Sequence, residues 1–239
     1  MKVEGRNSIY ELLKTDKEID KILVQKDLKD EASKRLVNVI KSKKVKIQLV
    51  DKYLIERESD GKRSQGFIAY TSDYKYFDLE DIIESAKDKD GFIVILNEVL
   101  DPHNLGSIIR VCECAGVDGI VISKDRSASV NDTVMRVSSG ALNHVKVVRV
   151  TNVNSAIDTL KDNGYWVYGA EANGNDIYSS NLKGKLCLVI GGEDSGVKRL
   201  TKEKCDGIIS IPMFGKVNSL NASVACGIAV YEAVRQRLK

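Results

Sequence analysis

The stretch Leu188-Val189-Ile190-Gly191-Gly192-Glu193-Asp194-Ser195-Gly196-Val197 reads as a buried strand ending in a glycine-rich turn. A short, continuous apolar run suits a strand covered on both faces, as in parallel sheets whose crossover helices lie above and below. Glycines directly after such a strand let backbone groups approach a ligand closely. The turn is not a Walker loop, because Gly196 is followed by Val197 and Lys198 where Lys and then Ser or Thr are required, and it is not G-x-G-x-x-G either. Glu193 stands where a carboxylate orients a ligand or simply starts the next helix.

Outward from this strand the same pattern repeats. Strand-like runs at 92–96, 119–123, 145–150, 165–169, 186–190 and 207–211 alternate with helical segments, which predicts a mostly parallel sheet with helices on both faces. Open α/β sheets place ligands outside the carboxyl ends of their strands. Two further loops fall at such ends. Asp101-Pro102-His103-Asn104-Leu105-Gly106-Ser107-Ile108-Ile109-Arg110 is a strand-to-helix turn in which Asn104 is either a helix cap or a site residue. Six residues of α-helix turn through about 600°, so Asn104 and Arg110 do not share a face if both are helical. The second loop is Ile211-Pro212-Met213-Phe214-Gly215-Lys216-Val217-Asn218-Ser219-Leu220-Asn221-Ala222-Ser223. It suits an adenine-type pocket built from backbone hydrogen bonds, or ordinary capping by Ser219 or Asn221 of the helix expected over 219–238.

The first third of the chain is a separate α/β module, with helix at 5–14, strand at 20–25, helix at 30–43, strand at 46–50, a helical segment at 51–57 and strand at 66–70. Residues 71–90 are rich in Asp, Lys, Tyr, Ser and Glu. The expected division is therefore a domain over 1–76, a linker over 77–90 and a second domain over 91–239.

Composition narrows the class further. With 239 residues, 43% hydrophobic and 30% charged, the chain has enough core formers to exclude global disorder. Its apolar runs, such as Phe92 to Leu96, are far short of the roughly 20 residues of a membrane helix. The N-terminus leads into a charged amphipathic segment and not into a signal-like apolar run, so a cytoplasmic location is expected. Five cysteines without a CxxC pair and only His103 and His144 argue against disulfides and against a metal site. The net charge is +3, with the basic excess before Tyr76. The cluster Lys41-Ser42-Lys43-Lys44-Val45-Lys46 suits phosphate neutralisation or a solvated helix end equally.

Taken in order, the three loops resemble the three motifs of the SpoU, or TrmH, family of RNA ribose 2'-O-methyltransferases within the SPOUT superfamily. Asn104 to Arg110 resembles the first motif, Ile190-Gly191-Gly192-Glu193 with Gly196 the second, and Ile211-Pro212-Met213 followed by Ser219 to Ala225 the third. Gly5 to Glu11 and Gln65-Gly66 resemble the small substrate-binding domain, similar to ribosomal protein L30e, of the branch that methylates a guanosine of 23S ribosomal RNA. Ser64 stands where a histidine often precedes Gln-Gly, and Asp194 where glycine is usual.

The resemblance implies an α/β fold with an L30e-like N-terminal domain and a C-terminal parallel-sheet SPOUT domain closed by a deep trefoil knot. It implies a homodimer with its site near the interface, S-adenosyl-L-methionine as cofactor, and RNA, most naturally 23S ribosomal RNA or a precursor particle, as substrate. Residue by residue it assigns cofactor binding to Gly191, Ile211 and Leu220, with Gly192 and Met213 in support, and the reaction to Arg110, with Asn104, Glu193, Ser219 and Asn221 orienting it. Guanidinium resists deprotonation, so stabilisation of a developing alkoxide suits Arg110 better than the role of a base. The rival readings are the same chemistry on transfer RNA or another ribosomal nucleotide, a non-catalytic RNA-binding protein, and a nicotinamide-dependent dehydrogenase, which lacks its dinucleotide fingerprint here.

Overall fold

The computed structural model describes residues 2–15, 17–59, 64–72, 74–192 and 196–238. The chain divides into two compact units, Met1–Lys75 and Tyr76–Lys239. The first contains β1 (Lys2–Glu4), α1 (Arg6–Leu12), β2 (Glu18–Gln25), α2 (Glu31–Ser42), β3 (Ile47–Val50), α3 (Lys52–Glu58) and β4 (Phe67–Ser72). Its four-stranded sheet has the order β1-β4-β2-β3, with only β2 and β3 parallel. Alternation along β2 sends Ile22 and Val24 to a core shared with Ile9 and Leu12 of α1 and Leu36 and Ile40 of α2, and sends Leu23 to the opposite face with Ile55 of α3. Asp30 starts α2 by accepting from the Ser33 amide at 3.0 Å and from the Ser33 hydroxyl at 2.7 Å.

The second unit contains α4 (Leu79–Ser85), β5 (Phe92–Asn97), α5 (Pro102–Cys114), β6 (Gly119–Ser123), α6 (Asp132–Val137), β7 (Lys146–Val150), α7 (Val153–Asp162), β8 (Trp166–Asp176), β9 (Leu186–Gly191), α8 (Arg199–Lys204), β10 (Gly207–Ser210) and α9 (Ala222–Arg237). Its six strands are all parallel, in the order β10-β8-β9-β5-β6-β7. The chain first builds outward from β5 through β6 to β7, then crosses to the other side of β5 for β8, β9 and β10. Such a reversal leaves a crevice at the strand carboxyl ends, because loops on either side diverge.

The central strands are buried on both faces. Ile93, Ile95, Val121, Cys187 and Val189 join Ile82 of α4 and Ile157 and Leu160 of α7 in one core. The alternate residues Val94, Leu96, Leu188 and Ile190 point to the other face, where α9 packs on α5 and against β9. Gly106 permits the close approach of α6 to α5, since a Cβ there would lie 2.7 Å from Val137 Cβ. No helix of the described residues is long and apolar enough to cross a membrane.

Three expectations are corrected. The segment 77–90 is not a linker: it belongs to the second unit, where the Phe77 amide donates to Val147 O at 3.0 Å and α4 buries Leu79 and Ile82. Its polar composition reflects a helix with one narrow apolar stripe, started by the Asp78–Asp81 capping box. The expected strand 165–169 extends to Asp176, with a register shift opposite Ile208 and Ile209. The last helix starts at Ala222 and not at 219, because Asn221 caps it and leaves 211–221 irregular.

Candidate active site

The site is assembled from the carboxyl ends of β8, β9 and β10 and the irregular segment that leads into α9. There a cavity of about 470 Å³ opens, within the roughly 300–1,000 Å³ of small-molecule sites. Gly191 and Gly192 lie at the end of β9, Ile211 and Met213 just after β10, and Leu220 just before α9, and all five line it. Ser219 lines it too. Its walls are otherwise mostly apolar, from Ala170, Ile177, Ile190 and Ala225 among others.

The glycines are demanded by the backbone. A Cβ on Gly191 would lie 2.5 Å from the Val197 nitrogen and 2.7 Å from Gly196 Cα. The chain therefore doubles back tightly there, and Gly196 N donates to Gly192 O at 3.0 Å across the turn. Gly196 itself has φ +58°, and a side chain on it would run into the Glu171 carboxylate.

Glu171 went unnoticed in the sequence. It follows Ala170 on β8, with no glycine or proline beside it to mark a loop, yet it is the one charged side chain lining the cavity among the described residues. Lys202 of α8 forms an ion pair with its Oε2. Asn97, at the end of β5, was missed for a similar reason: a single Asn after an apolar strand carries no motif.

The first and third motifs meet through a side-chain pair. Asp101, and not Asn104, caps α5: its carboxylate accepts from the His103 amide at 3.0 Å, with Pro102 in the first turn. Asn104 is instead buried inside the helix. Its Oδ1 accepts from Asn221 Nδ2 at 3.0 Å, across 117 residues of sequence. Asn221 Oδ1 in turn accepts from the Ser223 and Val224 amides, at 2.9 and 3.3 Å. One amide thus caps α9 and ties it to the first turn of α5. Deeper in the same contact, a hydrogen bond to Cys226 of α9 and then burial push the Cys112 thiol of α5 well above the usual thiol range.

Arg110 is exposed on α5, away from the buried Asn104 side as the helical phase requires, and its Nη1 lies 3.4 Å from Ser139 Oγ. It is not among the residues lining the cavity. Glu193, with Asp194 and Ser195, lies outside the described residues.

Comparison with known proteins agrees with this layout. The SpoU rRNA Methylase family matches residues 91–231, and the family described as RNA 2'-O ribose methyltransferase substrate binding matches residues 2–77. This chain belongs to the SpoU rRNA methylase family. A TrmH family tRNA/rRNA methyltransferase of Staphylococcus saprophyticus is 43% identical over 98% of this chain and 95% of its own length. Among solved structures, the SpoU methyltransferase AviRb of Streptomyces viridochromogenes, in complex with AdoMet, shares the fold with a TM-score of 0.64, 24% identity and coverage of 100% of this chain and 90% of that one. The TrmH/SpoU tRNA modifying enzyme of A. aeolicus matches 67% of this chain and 84% of its own at 29% identity, with a TM-score of 0.57.

Proposed function

We propose that this protein transfers a methyl group from S-adenosylmethionine to a ribose 2'-hydroxyl of RNA, at a guanosine of 23S ribosomal RNA, acting as a cytoplasmic homodimer. The observation that carries the reading is the convergence of Gly191, Gly192, Ile211, Met213 and Leu220, from two motifs, on one cavity. The cavity suits the cofactor: apolar walls for a flat base, glycines that carry no side chain into the space, and the Glu171 carboxylate for a cationic, hydroxyl-bearing ligand.

When bound, S-adenosylmethionine would be held by Gly191, Gly192, Ile211, Met213 and Leu220 and would supply an electrophilic methyl for the ribose oxygen. The chain's own residues do the rest. The hydroxyl must lose its proton, and the Arg110 guanidinium donates hydrogen bonds to the oxygen as alkoxide character develops, with the proton passing to a phosphate oxygen or water. Asn104 and Asn221 hold α5 and α9 in register beside the cavity, and Ser219 presents a hydroxyl to it. The homodimer is supported by Val224 and Tyr231, apolar side chains about half exposed on α9. The return of α9 across β9 to α5, after β10 at the sheet edge, supports the trefoil knot.

The test is transfer of radiolabelled methyl from S-adenosylmethionine to purified unmodified 23S RNA, 16S RNA and transfer RNA, with mapping of the product. Label on a 23S guanosine ribose that is lost in Arg110→Ala, with cofactor binding retained, is expected. Label in transfer RNA would keep the chemistry and overturn the branch, an alternative that the description of the Staphylococcus relative, tRNA/rRNA, names beside ribosomal RNA. Near-normal turnover by Arg110→Ala would remove that residue from the mechanism.

A further inference from the structure

We infer that Asn97 and Glu98, at the carboxyl end of β5, are positioning residues for the cofactor wall, which they hold through Gly192 and Lys198. The inference rests on the cofactor reading proposed above. Asn97 is buried, and its two oxygens accept from Gly192 and from Lys198. Its main-chain O accepts from the Gly192 amide at 2.9 Å, and its side-chain Oδ1 accepts from the Lys198 amide at 2.9 Å. Gly192 and Gly196 both line the cavity, so one side chain and one carbonyl of β5 set where that wall stands.

Glu98 adds a second hold. Its backbone has φ +67°, a left-handed conformation that glycine adopts freely and a side chain adopts only at a cost. Its carboxylate, largely shielded from solvent, pairs with Lys198 Nζ at 3.0 Å through Oε2 and with Arg126 Nη1 at 3.6 Å through Oε1. Its carbonyl faces Gly192 so closely that a Cβ there would lie 3.0 Å from Glu98 C. The Lys198 backbone is thus held by Asn97 and its side chain by Glu98.

Neither residue lines the cavity among the described residues, so each acts through Gly192 and Lys198. Asn97→Ala deletes the acceptor for Lys198 N, whereas Asn97→Asp retains one. Glu98→Gln weakens the ion pair and leaves the backbone strain unchanged.

The experiment is titration calorimetry of S-adenosylmethionine into the full chain, with filter retention of unmodified 23S RNA and thermal melting run on the same preparations. Cofactor affinity is expected to fall about tenfold in Asn97→Ala, to stay within about twofold in Asn97→Asp, and to fall about threefold in Glu98→Gln, since a lost buried hydrogen bond outweighs a partly exposed ion pair. RNA retention should be unchanged in all three. Equal cofactor affinity in Asn97→Ala and the unaltered protein would overturn the clasp. So would parallel loss of cofactor and RNA binding, which is the mark of general destabilisation. If Asn97→Ala does not fold, Glu98→Gln decides by the same split between cofactor and RNA. Absence of S-adenosylmethionine binding by the unaltered protein would instead refute the proposed function itself.

Discussion

Gly191→Ala puts the glycine turn to a quantitative test. The new Cβ would lie 2.5 Å from Val197 N and 2.7 Å from Gly196 Cα, and both neighbours are backbone, so no side chain can swing aside. Restoring an ordinary contact of 3.4 Å to Val197 N alone requires a movement of about 0.9 Å, from 3.4 minus 2.5, and the Gly196 carbonyl carbon, nearer still, requires more. Overpacking of this kind costs about 1–3 kcal/mol. A displacement near 1 Å in a ligand-positioning segment can cost about 10²-fold in turnover.

Two other glycines calibrate the result within the same unit. Gly215→Ala meets nothing within 4 Å and should change stability by no more than about 0.5 kcal/mol. Gly116→Ala also meets nothing but has φ +73°, so it should cost about 1–2 kcal/mol from left-handed backbone strain and leave cofactor binding untouched. The chain has one tryptophan, Trp166 on β8, so its fluorescence follows denaturant unfolding of the second unit directly. Cofactor affinity is read by calorimetry. Gly191→Ala should combine a lowered midpoint with loss of cofactor binding, whereas Gly116→Ala should lower the midpoint alone. A midpoint and affinity for Gly191→Ala that match Gly215→Ala would refute the argument that the chain doubles back on itself there.

The Asn104–Asn221 hydrogen bond should appear as energetic coupling: Asn104→Ala and Asn221→Ala together should cost less than their sum, by about 0.5–1.5 kcal/mol, in the same fluorescence assay. Additivity to within about 0.3 kcal/mol would mean that the two helices are not joined through this pair. Acid should weaken the first unit through two carboxylates. The Ser33 hydroxyl first, then the Ser33 amide and the Arg6 charge, hold Asp30 below its usual 3.8, and the Tyr70 hydroxyl first, then Lys2, holds Glu58 below 4.5. A folded-state value below the unfolded one means stability that is complete above about pH 4.5 and is lost as pH falls through the depressed values. Melting followed by circular dichroism between pH 6 and pH 3 should therefore steepen in its acid limb, and less so in Asp30→Asn with Glu58→Gln. Identical limbs would contradict the assignment.

The two units and the alternation of strands and helices were legible because hydrophobic period and length are local properties. That Gly191, Gly192, Ile211, Met213 and Leu220 fall in loops at strand ends was legible for a related reason: glycine and proline directly after an apolar strand are local marks of a strand's carboxyl end, where parallel sheets collect ligands. Residues 77–90 misled because a helix that buries only Leu79 and Ile82 has the composition of a linker, and only the neighbouring strands provide the surface that makes it a core element. Asn104 looked like a cap because Asn caps helices in general; the partner that gives it another task lies 117 residues away. Glu171 and Asn97 carried no signal at all, since one Glu on an outlying strand and one Asn after a buried one are unremarkable until the sheet order sets β8 and β5 on either side of β9. Sequence alone thus determined the fold class and which loops stand at the strand carboxyl ends, through periodicity and backbone requirements that each segment declares for itself. Which side chains stand together, and which carboxylate and amide come to the cavity wall, was decided only by tertiary structure, because strand order and helix phase are set by packing between segments that are distant in the chain.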